Sequence, residues 1–210
     1  MDKTAYIFCK SFELNADRIN VVNSGENLYI AADSGLETVE KLGIEPDIII
    51  GDFDSVNHER LDKYKNILKY PGEKDDTDTM LCVKYALERG FKIIIIIGGT
   101  GGRLDHTLAN LALLKYINKH GAHANITDGK NTVFYIKNNY YTCMGSKHKY
   151  VSIIPVSPEL RGVTLKGFKY NLENAVVKFD EPYTVSNEIA GDYGEITIAE
   201  GEAYICECDD

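Results

Sequence analysis

The chain has 210 residues, 44% hydrophobic and 26% charged, with a net charge of -9 and a pI near 5.1. That is enough apolar material for one large domain or two small ones, and the acidic balance argues against a broad nucleic-acid-binding surface. The longest apolar run, Ile93 to Ile97, is too short to span a membrane, no secretory leader pattern opens the chain, and the five scattered cysteines suit a cytoplasmic protein without a disulfide framework.

Ala5 to Cys9 and Leu28 to Ala32 read as short buried strands. After Asp33-Ser34-Gly35, the spacing of Leu36, Val39 and Leu42 predicts a helix that stops at Gly43. Pro46 leads into Ile48 to Ile50, a third strand that ends at Gly51 and is followed by Asp52 and Asp54. A helix is expected over Asn57 to Lys65 and a strand over Ile67 to Tyr70. Glu73 to Asp78 opens a helix that runs to Arg89. Ile93 to Ile97 is a fifth strand and breaks into Gly98-Gly99-Thr100-Gly101-Gly102. A helix then covers about Asp105 to His120, with Leu104, Leu108, Leu111, Leu114 and Ile117 roughly on one side, and Ala124 to Thr127 is a sixth strand. Alternating strand and helix implies a doubly wound, mostly parallel, Rossmann-like α/β sheet over residues 1–128.

From residue 129 to 210 the helical periodicity disappears. Short β-prone segments recur at Thr132 to Ile136, Tyr150 to Ile154, Gly162 to Leu165, Ala175 to Phe179, Glu195 to Ile198 and Ala203 to Cys206. This pattern predicts a smaller antiparallel β-sandwich domain.

Four strand ends carry residues suited to chemistry: Asp33-Ser34-Gly35, Asp52 with Asp54, Asp75 with Asp78, and the glycine-rich turn leading to Arg103 and Asp105. In a parallel sheet these loops gather along one edge. Asp52 and Asp54, two apart in extended chain, point to the same side. Asp75 and Asp78, three apart at a helix start, share a face. Alone, Asp52 with Asp54 reads first as a solvated acidic turn with Ser55 capping the next helix, and Asp75 with Asp78 is accounted for by helix capping and dipole complementation. Together they imply a hard cation such as Mg2+, which takes carboxylates and substrate phosphates and so implies a polyphosphate partner. Gly98 to Gly102 can approach a phosphate through backbone N–H groups, with Arg103 as a bidentate donor. Neither a Walker A sequence nor G-x-G-x-x-G is present. His106 and Asn110 lie on the following helix near the site, and Lys74 is a lesser phosphate candidate.

Read together, Asp33-Ser34-Gly35, Gly51-Asp52-Phe53-Asp54-Ser55, Lys74-Asp75-Asp76-Thr77-Asp78 and the stretch from Gly98 to His106 resemble the thiamine pyrophosphokinase family. Gly162 to Leu172 and Ser186-Asn187-Glu188 extend the resemblance over nearly the whole chain. Ser34 departs from the second glycine of many members, and Tyr170 stands where animal members carry tryptophan. The resemblance implies a homodimer with its active site at the subunit interface, an N-terminal α/β domain and a C-terminal β-sandwich. It further implies transfer of the terminal diphosphate of ATP to the hydroxyethyl group of thiamine, releasing AMP and thiamine diphosphate. By carry-over, Asp52, Asp54, Asp75 and Asp78 would hold Mg2+ and the phosphates. Asp33, Ser34, Gly35, Lys74, Gly98, Thr100, Arg103 and Asp105 would surround the nucleotide and reaction centre. Tyr170, Thr184, Ser186 and Asn187 would form the thiamine pocket. The residues themselves leave Asp78 and Asp105 both open as the base. A pterin diphosphokinase of similar architecture and a non-catalytic nucleotide sensor are the competing readings.

Overall fold

A computed structural model describes residues 3–54, 61–71, 75–145, 147–181 and 183–210. The chain divides into two compact units, Met1–Gly129 and Lys130–Asp210. In the first, the strands are β1 (Thr4–Phe8), β2 (Leu28–Ala32), β3 (Ile48–Gly51), β4 (Ile67–Lys69), β5 (Ile93–Ile97) and β6 (His123–Thr127). All are parallel, in the order β4-β3-β2-β1-β5-β6. β1 lies at the centre, Phe8 level with Ala31 of β2 on one side and Ile97 of β5 on the other. The β-branched run of β5 suits a strand covered on both faces, and Ile94, Ile96 and Ile97 are fully buried.

The helices of this unit are α1 (Leu36–Leu42), α2 (Asp78–Glu88) and α3 (Leu104–Lys119). Gly43 ends α1 in the left-handed conformation, with φ 64°, where a residue without Cβ is least strained. Thr77 caps α2 by accepting from the Met80 amide at 3.2 Å. Of the helix expected over Asn57 to Lys65, residues 57–60 lie outside the described residues, and Asp62 to Lys65 are turn and bend in place of helix.

Strand order reverses between β1 and β5, since β2, β3 and β4 extend one way and β5 and β6 the other. A crevice opens at the carboxyl ends of the strands on either side of such a reversal. The first turns of α3 lie at this end. Leu104 and Leu108 are therefore exposed, and the buried stripe is Asn110, Leu113, Leu114 and Ile117. The expected apolar face of α3 is thus corrected over its first half, where Asp105, His106 and Ala109 line a cavity.

The second unit contains β7 (Asn131–Lys137), β8 (Tyr140–Met144), β9 (Tyr150–Pro155), β10 (Glu159–Lys166), β11 (Leu172–Lys178), β12 (Tyr193–Thr197) and β13 (Glu202–Cys208). β13 pairs antiparallel with β7 and β9. A second antiparallel sheet runs β11-β10-β12-β8. Their inner faces share one core, with Ile153 and Ile205 from the first sheet and Val163, Val177 and Ile196 from the second. This is a β-sandwich. β8 is the strand that sequence reading overlooks. Asn138 takes φ 45°, and the chain leaves β7 there and pairs with β12 of the other sheet. Cys143 then enters the shared core.

Among the described residues no helix is long and apolar enough to cross a membrane. The assignment of the α3 face has a direct test. Leu114→Ala should destabilise the protein by about 2–5 kcal/mol and Leu108→Ala by less than about 0.5 kcal/mol, measured by urea unfolding.

Candidate active site

A cavity of about 590 Å³ occupies the crevice at the carboxyl end of the parallel sheet. Asp33, Asp52 and Asp78 line it, and each offers a carboxylate oxygen within 4.8 Å of the others. Three separate chain segments supply these acids: the turn after β2, the end of β3 and the first residue of α2.

Gly51 makes the convergence possible. A Cβ placed there would lie 2.8 Å from the Asp33 Cβ, closer than real side chains tolerate. The absence of a side chain at 51 lets β3 run beside Asp33 and then present Asp52. Asp33 itself takes φ 37°, a conformation that costs a non-glycine residue energy and recurs at functional sites.

Phe53 sets the course of the chain beyond Asp52. Its φ is 62°, and only 2% of it is exposed, its ring being drawn into the core with Leu36, Val39 and Leu61. The chain between Asp52 and Asp54 is thus turned rather than extended, and the alternation expected from a spacing of two does not apply. Asp52 lines the cavity. Asp54 is exposed, outside the three-acid cluster, and its amide donates to Asp52 Oδ1 at 3.2 Å. The start of α2 has a similar effect. The helix begins at Asp78, so Asp75 precedes its first turn and is exposed, while Asp76 pairs with Lys84 at 2.6 Å. The expected shared helical face of Asp75 and Asp78 is therefore not formed. Lys74 and Ser55 lie outside the described residues.

At 4.8 Å each pair of carboxylates repels by about 3 kcal/mol at an effective dielectric of 20. Such a set is stabilised by a cation. Oxygen donors alone, with neither histidine nor cysteine in the group, fit a hard divalent ion.

The turn after β5 forms another part of the wall. Gly98, Gly99, Gly101 and Gly102 all have φ between 64° and 79°. The Gly98 amide donates to Thr127 O and the Gly99 amide to Lys10 O, so these two are already committed. Asn110 holds the turn by donating to Gly99 O at 2.8 Å, and Thr100 donates its hydroxyl proton to Asp128. Gly101 and Arg103 line the cavity, whereas Gly98 and Thr100 do not. Ser34 and Gly35 belong to the tight turn between β2 and α1.

Arg103 grips Asp105 with two hydrogen bonds, at 3.1 and 2.5 Å. Hydrogen bonding to this guanidinium, with a smaller contribution from the His106 amide, brings the Asp105 carboxyl down to about 2. A carboxylate so acidic is a weak proton acceptor. Cys9 and Thr79 also line the cavity. Burial pushes the Cys9 thiol up to about 11, so it stays protonated and is a poor nucleophile. Cys9, Lys10 and Phe12 are cavity residues that sequence reading overlooks. The signal lies in topology, because only the central place of β1 brings the residues after it to the crevice.

In the second unit, the residues expected around thiamine divide into two kinds. Tyr170 is 62% exposed. Ser186 is also exposed, with φ 56°, and its amide is held by Ser152 Oγ at 2.9 Å. Asn187 is only 8% exposed. Its Oδ1 accepts from the Tyr170 and Glu188 amides and its Nδ2 donates to Tyr170 O. Thr184 is buried and donates to Ile153 O at 2.6 Å. Tyr170 and Ser186 are presented, and Thr184 and Asn187 support the segments that carry them.

Residues 19–126 match the family described as thiamin pyrophosphokinase, catalytic domain, and residues 135–203 match its vitamin B1 binding domain. A thiamine pyrophosphokinase of Bacillus subtilis is 36% identical over 83% of this chain and 84% of its own length. The chain belongs to the thiamine pyrophosphokinase family. A crystal structure of the Bacillus subtilis thiamine pyrophosphokinase superposes with a TM-score of 0.87, at 30% identity, over 99% of this chain and 100% of that one. That from Geobacillus thermodenitrificans gives 0.84 at 29% identity, over 100% and 98%. The two family regions fall one in each unit described above. Cys9, Lys10 and Phe12 lie ahead of the thiamin pyrophosphokinase catalytic match.

Two measurements probe this cavity. Asp52→Asn should lower turnover at least about tenfold more than Asp54→Asn, with both variants folded by circular dichroism, because losing a group that acts in the transition state costs several factors of ten. In a carbon-detected NMR titration, Asp105 should lose its charge only near pH 2. Its pKa should return towards about 3.9 in Arg103→Ala.

Proposed function

We propose that this protein transfers a diphosphate group from ATP to the hydroxyl of thiamine, giving thiamine diphosphate and AMP, and so serves thiamine diphosphate biosynthesis. The observation that carries the reading is the convergence of Asp33, Asp52 and Asp78 in one cavity with Gly101 and Arg103. Carboxylates for a cation and donors for phosphate stand together, as transfer of a phosphoryl-type group requires. Family membership and the vitamin B1 binding match supply the acceptor.

Within this reading Asp33, Asp52 and Asp78 would hold Mg2+. When bound, the ion supplies charge neutralisation to the phosphate oxygens. Arg103 contributes further positive charge at the cavity wall, and Asp105 orients its guanidinium through the paired hydrogen bonds. Lys10 lines the same cavity as a second cation for the phosphates. The depressed pKa of Asp105 favours this orienting role over service as the base. In the acceptor domain, the exposed Tyr170 ring suits stacking on a flat or cationic ring system. Ser186 offers a hydroxyl on a strained backbone, in a segment joined to Tyr170 through Asn187.

We further propose a homodimer with its active site at the subunit interface, in the cytoplasm. Support for the dimer comes from Tyr140, Met144 and Tyr193, which are exposed on the face of the four-stranded sheet away from its core. The odd number and scattered positions of the five cysteines suit a reducing compartment.

With ATP, Mg2+ and thiamine, the purified protein should form AMP and thiamine diphosphate in equal amounts. Chelation of divalent ions should stop both. Release of ADP instead, AMP formation with a pterin alcohol but not thiamine, or ATP binding without turnover would each overturn the assignment. Light scattering should give twice the monomer mass, and a monomer that retains full activity would contradict a shared site.

A further inference from the structure

We infer that Phe12 is the seat of the adenine base of the bound nucleotide. The inference rests on the nucleotide-binding half of the function proposed above. Phe12 lies in the segment after β1, at the reversal of strand order, and contributes a phenyl ring to the cavity wall. It is 59% exposed. Its neighbours in that wall include Lys10, Arg103, Asp105 and His106, so an apolar flat surface stands among charged and polar groups.

The ring also lies against the glycine-rich turn. A Cβ on Gly102 would lie 2.3 Å from Phe12 Cε2 and 2.5 Å from Cζ, and one on Gly101 would lie 3.6 Å from Phe12 Cβ. The glycine-rich turn is therefore shaped around this ring, which rests on it while much of its surface stays open. Gly101 both lines the cavity and approaches Phe12, and Gly102 beside it carries the closest contact to the ring. A phosphate chain at the turn and a base at Phe12 are then adjacent requirements, which one nucleotide satisfies. A cavity near 590 Å³ falls in the usual range for such a ligand.

The acceptor is a flat molecule as well, but it carries a positive charge. The Lys10 ammonium stands 5.6 Å from the centre of the Phe12 ring, whereas the charge of Arg103 is balanced by its partner Asp105. Like charge disfavours a cationic ring at this place. Adenine is neutral and keeps the benefit of stacking. Stacking of this kind tolerates different bases, because every base offers a π-face, so the seat should contribute more to affinity than to discrimination among purines.

Isothermal titration calorimetry in the presence of Mg2+ tests the assignment with ATP, inorganic tripolyphosphate and thiamine as probes. Phe12→Ala should weaken ATP binding by about tenfold and leave tripolyphosphate within about twofold of the unchanged protein. Phe12→Trp should bind ATP at least as well as the unchanged protein. Equal weakening of ATP and tripolyphosphate would show that the ring only supports the glycine turn, and would overturn the inference. Unchanged ATP affinity in Phe12→Ala, or weakening of thiamine without weakening of ATP, would do the same. Loss of the acceptor reading alone has a different signature. ATP binding would still depend on the Phe12 ring, but thiamine would release no AMP. Failure of the unchanged protein to bind ATP would overturn both.

Discussion

The approach of β3 to Asp33 is the contact on which the site depends. Residue 51 has no side chain, and the space its Cβ would need is taken by the Asp33 Cβ. Asp33 can consequently hold an unfavourable backbone angle beside the strand end, and Asp52 emerges next to it. Asp78 reaches the same spot from the start of α2, which Thr77 caps. The three acids repel one another, so the protein invests stability in keeping them together. That stability comes from the apolar material behind them, including Phe8, Leu36, Ile49 and Phe53. Phe53 links the two levels, because the burial of its ring sets the turn that separates Asp52 from Asp54.

Most of the architecture is legible from sequence for a simple physical reason. Strands buried on both faces are short β-branched runs, and Ile48 to Ile50 and Ile93 to Ile97 stand out between glycines. Turn and cap residues such as Gly43 mark element ends by conformations that few other residues adopt. Strand pairing across a sandwich leaves a weaker mark, so β8 is hidden behind Asn138-Asn139. The face of α3 is half legible. Leucine spacing reports where leucines lie on a helix, and it does not report that the first turns of that helix project past the sheet.

The candidate site is legible at the level of segments, and less so at the level of single side chains. Four acidic or glycine-rich strand ends are recognisable because the parallel sheet gathers them. Which acid of each pair turns inward depends on one backbone angle at Phe53 and on the residue at which α2 begins. Neither is expressed in residue spacing. Asp33, expected near the nucleotide, proves to be a member of the carboxylate group, since its contact with Gly51 is a tertiary event. Cys9, Lys10 and Phe12 carry no motif, and their importance follows only from the central position of β1.

The Asn187 side chain holds the backbone of Tyr170 on both sides, through the amide and the carbonyl, and engages neither ring nor hydroxyl in doing so. Grip and recognition are thereby separated. The loop keeps these hydrogen bonds with any residue at 170 that retains its amide proton, so the position is open to redesign. In the acceptor role proposed for Tyr170, a change of preference would take one substitution, without any rebuilding of the sandwich beneath.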